Sequence, residues 1–199
     1  MAMKKLEIAR AAHVLARGGT VVFPTETLYG FAAIATDKDA VRAVYAIKRR
    51  PREKLLPVIV GSFVQARKFF IFSPAELLLA KKFWPGPLTL VLKTRSKKLA
   101  AAVGSDRVAV RYSANAIASA LALGAGAPIT ATSANISGKP GCFTIAAVKR
   151  QFTSARRPDL FLNGGMLPRS LPSTIVRVQR GRLIILREGA VPSESLQFS

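Results

Sequence analysis

The sequence predicts a mixed α/β fold in one domain spanning residues 1–199. Three observations predict it. The chain has 199 residues, 50% of them hydrophobic, which suffices for one sizeable core. Helix-period and strand-period apolar patterns alternate along its length. Hairpin-like and crossover spacings both separate the strand-like runs, so parallel and antiparallel pairs are expected in one sheet.

The elements follow in order. Residues 4–17 place Leu6, Ala9, Ala12 and Leu15 at helical spacing, and Gly18-Gly19 stops the helix. His13 lies on that helix, where a partly buried structural role is expected. Thr20-Val21-Val22-Phe23 reads as a buried strand ended by Pro24, and Thr25-Glu26-Thr27 as a polar loop. Asp37 or Asp39 caps a second helix, whose Val41, Val44 and Tyr45 share a face and which ends near Lys48. A core strand is expected over 57–60, helices over 63–69 and 74–83, a break at Trp84-Pro85-Gly86-Pro87, and a strand over 89–92. Residues 108–111 read as a strand with Arg111 at its exit, 114–123 as a helix, and 129–132 as a strand running into Ser133-Ala134-Asn135. A helix over 144–152 follows. Strands over 173–178 and 183–186 flank Gln179-Arg180-Gly181-Arg182 as a terminal hairpin.

Composition narrows the chemistry. Lys and Arg number 31 against 10 Asp and Glu, a net charge of +21 that favours polyanions such as RNA or phosphorylated ligands. Cys142 is the single cysteine, so an intramolecular disulfide and a cysteine metal cluster are both excluded, and a cytoplasmic setting is expected. Glu7, Arg10 and Arg17 interrupt the first apolar run, so no leader peptide is expected. No apolar stretch approaches the ~20 residues of a membrane span. With His13 the single histidine, triad catalysis and zinc sites lack partners. The scattered carboxylates argue against a two-carboxylate hydrolase. Lys, Arg, Ser, Thr and backbone N–H remain, which suits nucleotide chemistry run by charge and positioning.

Polar clusters follow the expected strands, where open α/β sheets bind ligands. Pro24-Thr25-Glu26-Thr27-Leu28-Tyr29-Gly30 offers two threonine hydroxyls and a tyrosine, either for a small polar ligand or for an ordinary turn. Lys48-Arg49-Arg50-Pro51-Arg52-Glu53-Lys54 concentrates cations at a helix end, either as a polyphosphate cradle or as a complement to the helix dipole. Thr130 to Pro140 strings hydroxyls, Asn135 and Gly138 after an apolar strand, without the Gly-Lys-Ser/Thr ending of a Walker loop. Pro172-Ser173-Thr174 and the later Arg187 complete the set.

In this order the segments PTETLYG, KRRPREK, WPGPLTLVL, VAVR, TSANISGKP, PSTIV and ILREGA resemble the YrdC-like threonylcarbamoyl-AMP synthase family over nearly the whole chain. The resemblance implies a twisted mixed sheet flanked by helices around a deep basic cavity. It implies that L-threonine, bicarbonate and ATP give threonylcarbamoyl-AMP and pyrophosphate for a tRNA modification. Magnesium would be held mainly by ATP oxygens, with no metal site on the protein itself, and a downstream threonylcarbamoyl-transferring partner would take the product. It assigns Arg50, Lys54, Ser133 and Arg187 to ATP. Lys48 and Asn135 complete the Lys-x-Arg and Ser-x-Asn pairs, which with Arg50 and Ser133 form the catalytic set. Thr27, Arg111, Ala131 and Ser173 fall to the amino acid. Four positions depart from the family pattern: Leu55 for proline, Gly141 for Ser or Thr, Arg107 for threonine, and Arg177 for aspartate. Two other readings are a non-enzymatic binder of tRNA or double-stranded RNA, and a carbamoyl-adenylate domain of the hydrogenase-maturation type. The latter sits in longer chains with cysteine-rich modules.

Overall fold

The computed structural model describes residues 2–153 and 156–196. Met1 and residues 154–155 and 197–199, and with them the outer limits expected for the domain, lie outside the described residues. In chain order the elements are α1 (Ala2–Ala16), β1 (Val21–Pro24), β2 (Tyr29–Ala32), α2 (Lys38–Lys48), β3 (Val58–Val60), α3 (Phe63–Phe69), β4 (Phe70–Ile71), α4 (Pro74–Phe83) and β5 (Leu88–Thr94). Then come α5 (Lys97–Val103), β6 (Arg107–Tyr112), α6 (Ala116–Gly124), β7 (Ile129–Thr130), β8 (Thr132–Ser133), α7 (Ile145–Gln151), β9 (Leu160–Phe161), β10 (Thr174–Gln179) and β11 (Arg182–Arg187).

The strands form two mixed sheets. One has the order β8-β2-β1-β9; the other runs β11-β10-β5-β6-β3-β7, with β4 on β5. The expected strand over 129–132 is divided at Ala131, because its two halves serve different sheets. Thr130 lies opposite Val58 on β3, and Ser133 lies opposite Gly30 on β2. Thr130 N–H donates to the Ala33 carbonyl at 2.8 Å, while Ala131 N–H donates to the Pro57 carbonyl at 2.8 Å. This segment stitches the two sheets together.

The face of the larger sheet decides where a ligand can sit. Leu88, Leu90, Leu92, Val110 and Val176 point into one apolar core. The intervening positions Thr89, Val91, Ala109, Arg111 and Ile175 point the other way and line a cavity, as the two-residue period of a strand requires. α2 leads into that cavity's rim. Asp37 caps its start by accepting from the N–H groups of Asp39 and Ala40. At its end Arg50 N–H donates to Tyr45 O and Arg49 N–H to Ala46 O, with Arg49 left-handed at φ 51°. This paired-bond exit turns the following cations away from the helix axis. The terminal hairpin turns through Arg180 and Gly181, both at positive φ, which matches the right-handed twist of β10 and β11.

The structure corrects several expectations. Leu6, Ala9 and His13 are exposed, and α1 buries Ala11, Ala12 and Leu15 against Ala118, Leu121 and Ala122 of α6. The buried stripe is rotated by about one residue, so His13 faces solvent rather than being partly buried. The segment after Thr27 is a strand, β2, which pairs antiparallel with β1. Short elements at α5, β4 and β9 lie in stretches with no strong period.

Candidate active site

The cavity measures about 520 Å³, within the range of small-molecule sites. It lies between the open face of β6-β5-β10, the β1–β2 turn, and β8. Four arginines line it (Arg50, Arg107, Arg111 and Arg187), and no Asp or Glu is among its lining residues.

At one end the hydrogen bonds fix an arginine-rich corner. Arg111 is 8% exposed, and its Nη1 donates to Glu26 Oε1. The other Glu26 oxygen accepts from Ser113 Oγ. Burial pulls the Arg111 pKa down, and Glu26 opposes that shift. Arg187 donates from Nε and Nη2 to the Ser173 carbonyl at 3.1 and 2.6 Å, and from Nη2 to Ser173 Oγ at 3.0 Å. Ser173 Oγ also contacts Thr89 Oγ1 at 2.8 Å. Loss of water lowers the Arg187 pKa first, and the neighbouring Arg111 charge lowers it further.

The β1–β2 turn supplies a hydroxyl. Thr25 Oγ1 donates to Leu28 O at 2.7 Å, so its one proton is committed. In the 3.1 Å contact between the two threonine hydroxyls, Thr27 is therefore the donor, and its oxygen keeps lone pairs for the cavity. Tyr29 serves the fold instead. Its hydroxyl donates to Gly165 O at 2.7 Å and accepts from Gly164 N–H at 2.9 Å, tying down the loop before β10.

The opposite wall is looser. Arg50 lines the cavity, with Nε donating to Lys54 O at 2.8 Å and Nη2 to Leu55 O at 3.0 Å. Lys54 itself is exposed and does not line the cavity. Ala131 and Ser133 do line it. Lys48 and Asn135 stand behind that wall. Lys48 is 1% exposed, and its Nζ donates to Ser133 O and, at 2.7 Å, to Asn135 O. Burial, then Arg50, pushes its pKa down to about 7. Asn135 Nδ2 donates to Ile136 O at 2.9 Å and Lys139 O at 2.5 Å, while Oδ1 is buried without a partner. Thus the Lys-x-Arg and Ser-x-Asn pairs each send one member to the cavity and one into its support.

The departures have local reasons. A Cβ on Gly141 would come within 2.8 Å of Leu28 Cδ1, so the space a Ser or Thr would need is filled by leucine. Leu55 and Arg107 both line the cavity. Arg177 Nε is buried without a hydrogen-bond partner. The sequence reading missed Glu26, Ser113 and Thr89. Glu26 had a signal: it is one of only 10 carboxylates in a +21 chain and stands inside a polar motif.

A family model covering Sua5, YciO and YrdC proteins, described as telomere recombination, matches residues 13–189. The chain belongs to the Sua5/YciO/YrdC family. Every candidate residue lies inside the matched stretch. Within the family, the chain is 36% identical over 197 residues to the threonylcarbamoyl-AMP synthase of Pyrococcus abyssi, covering 98% of this chain and 57% of that protein. It is 34% identical over 194 residues to the threonylcarbamoyl-AMP synthase of Bacillus subtilis, covering 96% and 56%. The crystal structure of P. abyssi Sua5 complexed with L-threonine superposes with a TM-score of 0.87 at 38% identity, over 95% of this chain and 56% of that one. The chain therefore spans little more than half the length of these relatives. The mixed α/β fold expected from the sequence is shared with Sua5.

Proposed function

We propose that this Sua5/YciO/YrdC chain is a threonylcarbamoyl-AMP synthase, with the chain acting as one unit around the cavity. The observation that carries the reading is one cavity with two unlike ends. A corner built on the buried Arg111 suits a carboxylate, and a rim of Arg50 and Ser133 suits a polyphosphate. L-Threonine places its carboxylate at Arg111, with Thr27 and Ser173 near its hydroxyl and Ala131 beside it. Its amine captures carbon dioxide derived from bicarbonate and forms a carbamate. A carbamate oxygen attacks the α-phosphorus of ATP, the bond to the β-phosphate oxygen breaks, and pyrophosphate leaves. Arg50 and Arg187 neutralise phosphate charge and Ser133 donates to a phosphate oxygen, with Lys54 at the rim. Lys48 and Asn135 act by holding the backbone that carries Ser133. No protein nucleophile is required.

The described residues contain no group of three His, Cys, Asp or Glu placed to hold a metal ion. Magnesium would therefore enter on the triphosphate oxygens and water. The described helices include none long and apolar enough to cross a membrane. ATP, bicarbonate and tRNA as reactants and partners place the reaction in the cytoplasm. The +21 charge supports tRNA affinity and hand-over to a threonylcarbamoyl-transferring partner. The same charge supports a second reading, a non-enzymatic RNA binder. The test is pyrophosphate release with threonine or bicarbonate omitted in turn. Release that needs both is expected; release indifferent to either overturns the synthase reading.

A further inference from the structure

Glu26 has a use that the cavity itself does not show. Its two neighbours, Thr25 and Thr27, line the cavity, as does Arg111, but Glu26 does not. Its carboxylate lies behind the guanidinium, bonded to Arg111 Nη1 and Ser113 Oγ. Its backbone carbonyl accepts from Ser170 Oγ at 3.1 Å. Three chain segments thus meet at this one acid: the β1–β2 turn, the exit of β6, and the loop before β10.

Arg111 is held on one side only. Among the described residues its Nε and Nη2 have no hydrogen-bond partner, while the residue forms part of the cavity wall. Those two nitrogens form one edge of the planar guanidinium, the edge that can grip a carboxylate with two parallel bonds. Arg187 stands close enough to depress its own pKa through the Arg111 charge. Like charges push apart, and Arg111 is buried, so it needs an opposing charge behind it to keep that edge turned inward.

We propose that Glu26 is a positioning residue for the amino-acid substrate. It anchors Arg111 from behind through Nη1 and leaves the Nε–Nη2 edge facing the substrate carboxylate. Ser113 fixes the second Glu26 oxygen so that the acid does not swing into the cavity and compete. The proposal rests on the synthase reading and names a residue which that reading leaves without a role. Asp at this position would be one methylene too short to reach both donors. Gln keeps the length and one acceptor oxygen but loses the charge.

The experiment measures steady-state kinetics with threonine and ATP varied separately, on the full chain, for Glu26→Gln, Glu26→Ala, Arg111→Ala and the Glu26→Ala/Arg111→Ala double variant. Glu26→Gln is expected to raise the threonine KM roughly 10-fold, and Glu26→Ala roughly 100-fold, with the ATP KM changed less than about 2-fold. A residue that acts through Arg111 has nothing left to act on once Arg111 is gone. The double variant should therefore match Arg111→Ala within about 2-fold. A contact that serves only the fold would lower yield and thermal stability and leave the ratio of the two KM values alone. An unchanged threonine KM in Glu26→Gln, or fully additive losses in the double variant, overturns the proposal. Should Glu26→Ala not fold, Glu26→Gln and its own double variant with Arg111→Ala carry the same test. A wild-type chain with no threonine- and bicarbonate-dependent turnover would sink the synthase reading and this proposal with it. Normal turnover with silent Glu26 variants sinks this proposal alone.

Discussion

The two ends of the cavity are built on opposite plans. At the Arg111 end Glu26, Ser113, Ser173 and Thr89 hold the guanidinium groups from behind through side-chain and carbonyl contacts, and Arg111, Ser173 and Thr89 are buried. At the Arg50 end the guanidinium leans on two backbone carbonyls of its own turn, Lys54 and Leu55, and the surrounding cations are open to solvent. On the synthase reading the rigid end takes a small zwitterion, which offers few atoms to grip and needs a site that is rigid before it arrives. A triphosphate brings several charges and tolerates a mobile, cationic rim. The difference teaches that density of positive charge in the sequence marks the looser site, while the tighter one is marked by a single arginine at a strand exit.

Breaking the rigid end should cost most. Arg111→Ala is expected to raise the threonine KM by ~10²-fold or more, because it removes the partner of the substrate carboxylate. The ATP KM should move only a few-fold. An unchanged threonine dependence would show that the amino acid sits elsewhere. Arg50→Ala at the looser end should lower kcat by ~10²-fold, if it meets charge that develops on the phosphates. Its unfolding midpoint should stay within a few degrees of wild type, and full activity would break the assignment.

Lys48→Met probes what stands behind the looser wall. The change removes the Lys48 donor from the Ser133 and Asn135 carbonyls, of which Ser133 O keeps the Asn135 N–H, at a cost of about 2 kcal/mol in denaturant unfolding. The folded pKa near 7 lies below the ordinary lysine value of 10.5. Between those values the unfolded chain binds more protons, so the Lys48 contribution grows as pH rises through that window and is smallest below pH 7. The stability gap between wild type and Lys48→Met should therefore widen from pH 7 to pH 10; a gap that narrows would contradict the buried placement. Among substrates, serine should be disfavoured only about 10- to 200-fold, since it keeps the hydroxyl and loses a methyl. Valine should fare worse, because it brings no hydroxyl to donate to the lone pairs that Thr27 Oγ1 keeps for the cavity. The smallest effect is expected for Lys54→Ala, with an activity loss under about 3-fold that disappears as salt screens the exposed charge.

Most of the architecture was legible because the relevant signals are local. Asp37 before Val41, Val44 and Tyr45, or Pro74 after Ser73, specify a helix start within a few residues. β2 escaped notice because Tyr29-Gly30-Phe31-Ala32 is buried on both faces and shows no alternation. The site was legible as a set of residue types but not as roles. Lys48 reads as a charged helix terminus and, through the resemblance, as one of the catalytic set. Its burial depends on where residues 133–135 come to lie, 85 positions later in the chain. Glu26 was hidden for the same reason: its partners are Arg111 and Ser113, and no local pattern joins them.

The division of the 129–133 segment at Ala131 fixes how this region can evolve. Side chains along a strand alternate faces, so inserting or deleting one residue exchanges inside for outside. Here a single such event would shift pairing with β3 and β2 at once. It would also move Ser133 off the cavity wall and pull two carbonyls away from Lys48. The length of this stretch is therefore constrained by each of these fits.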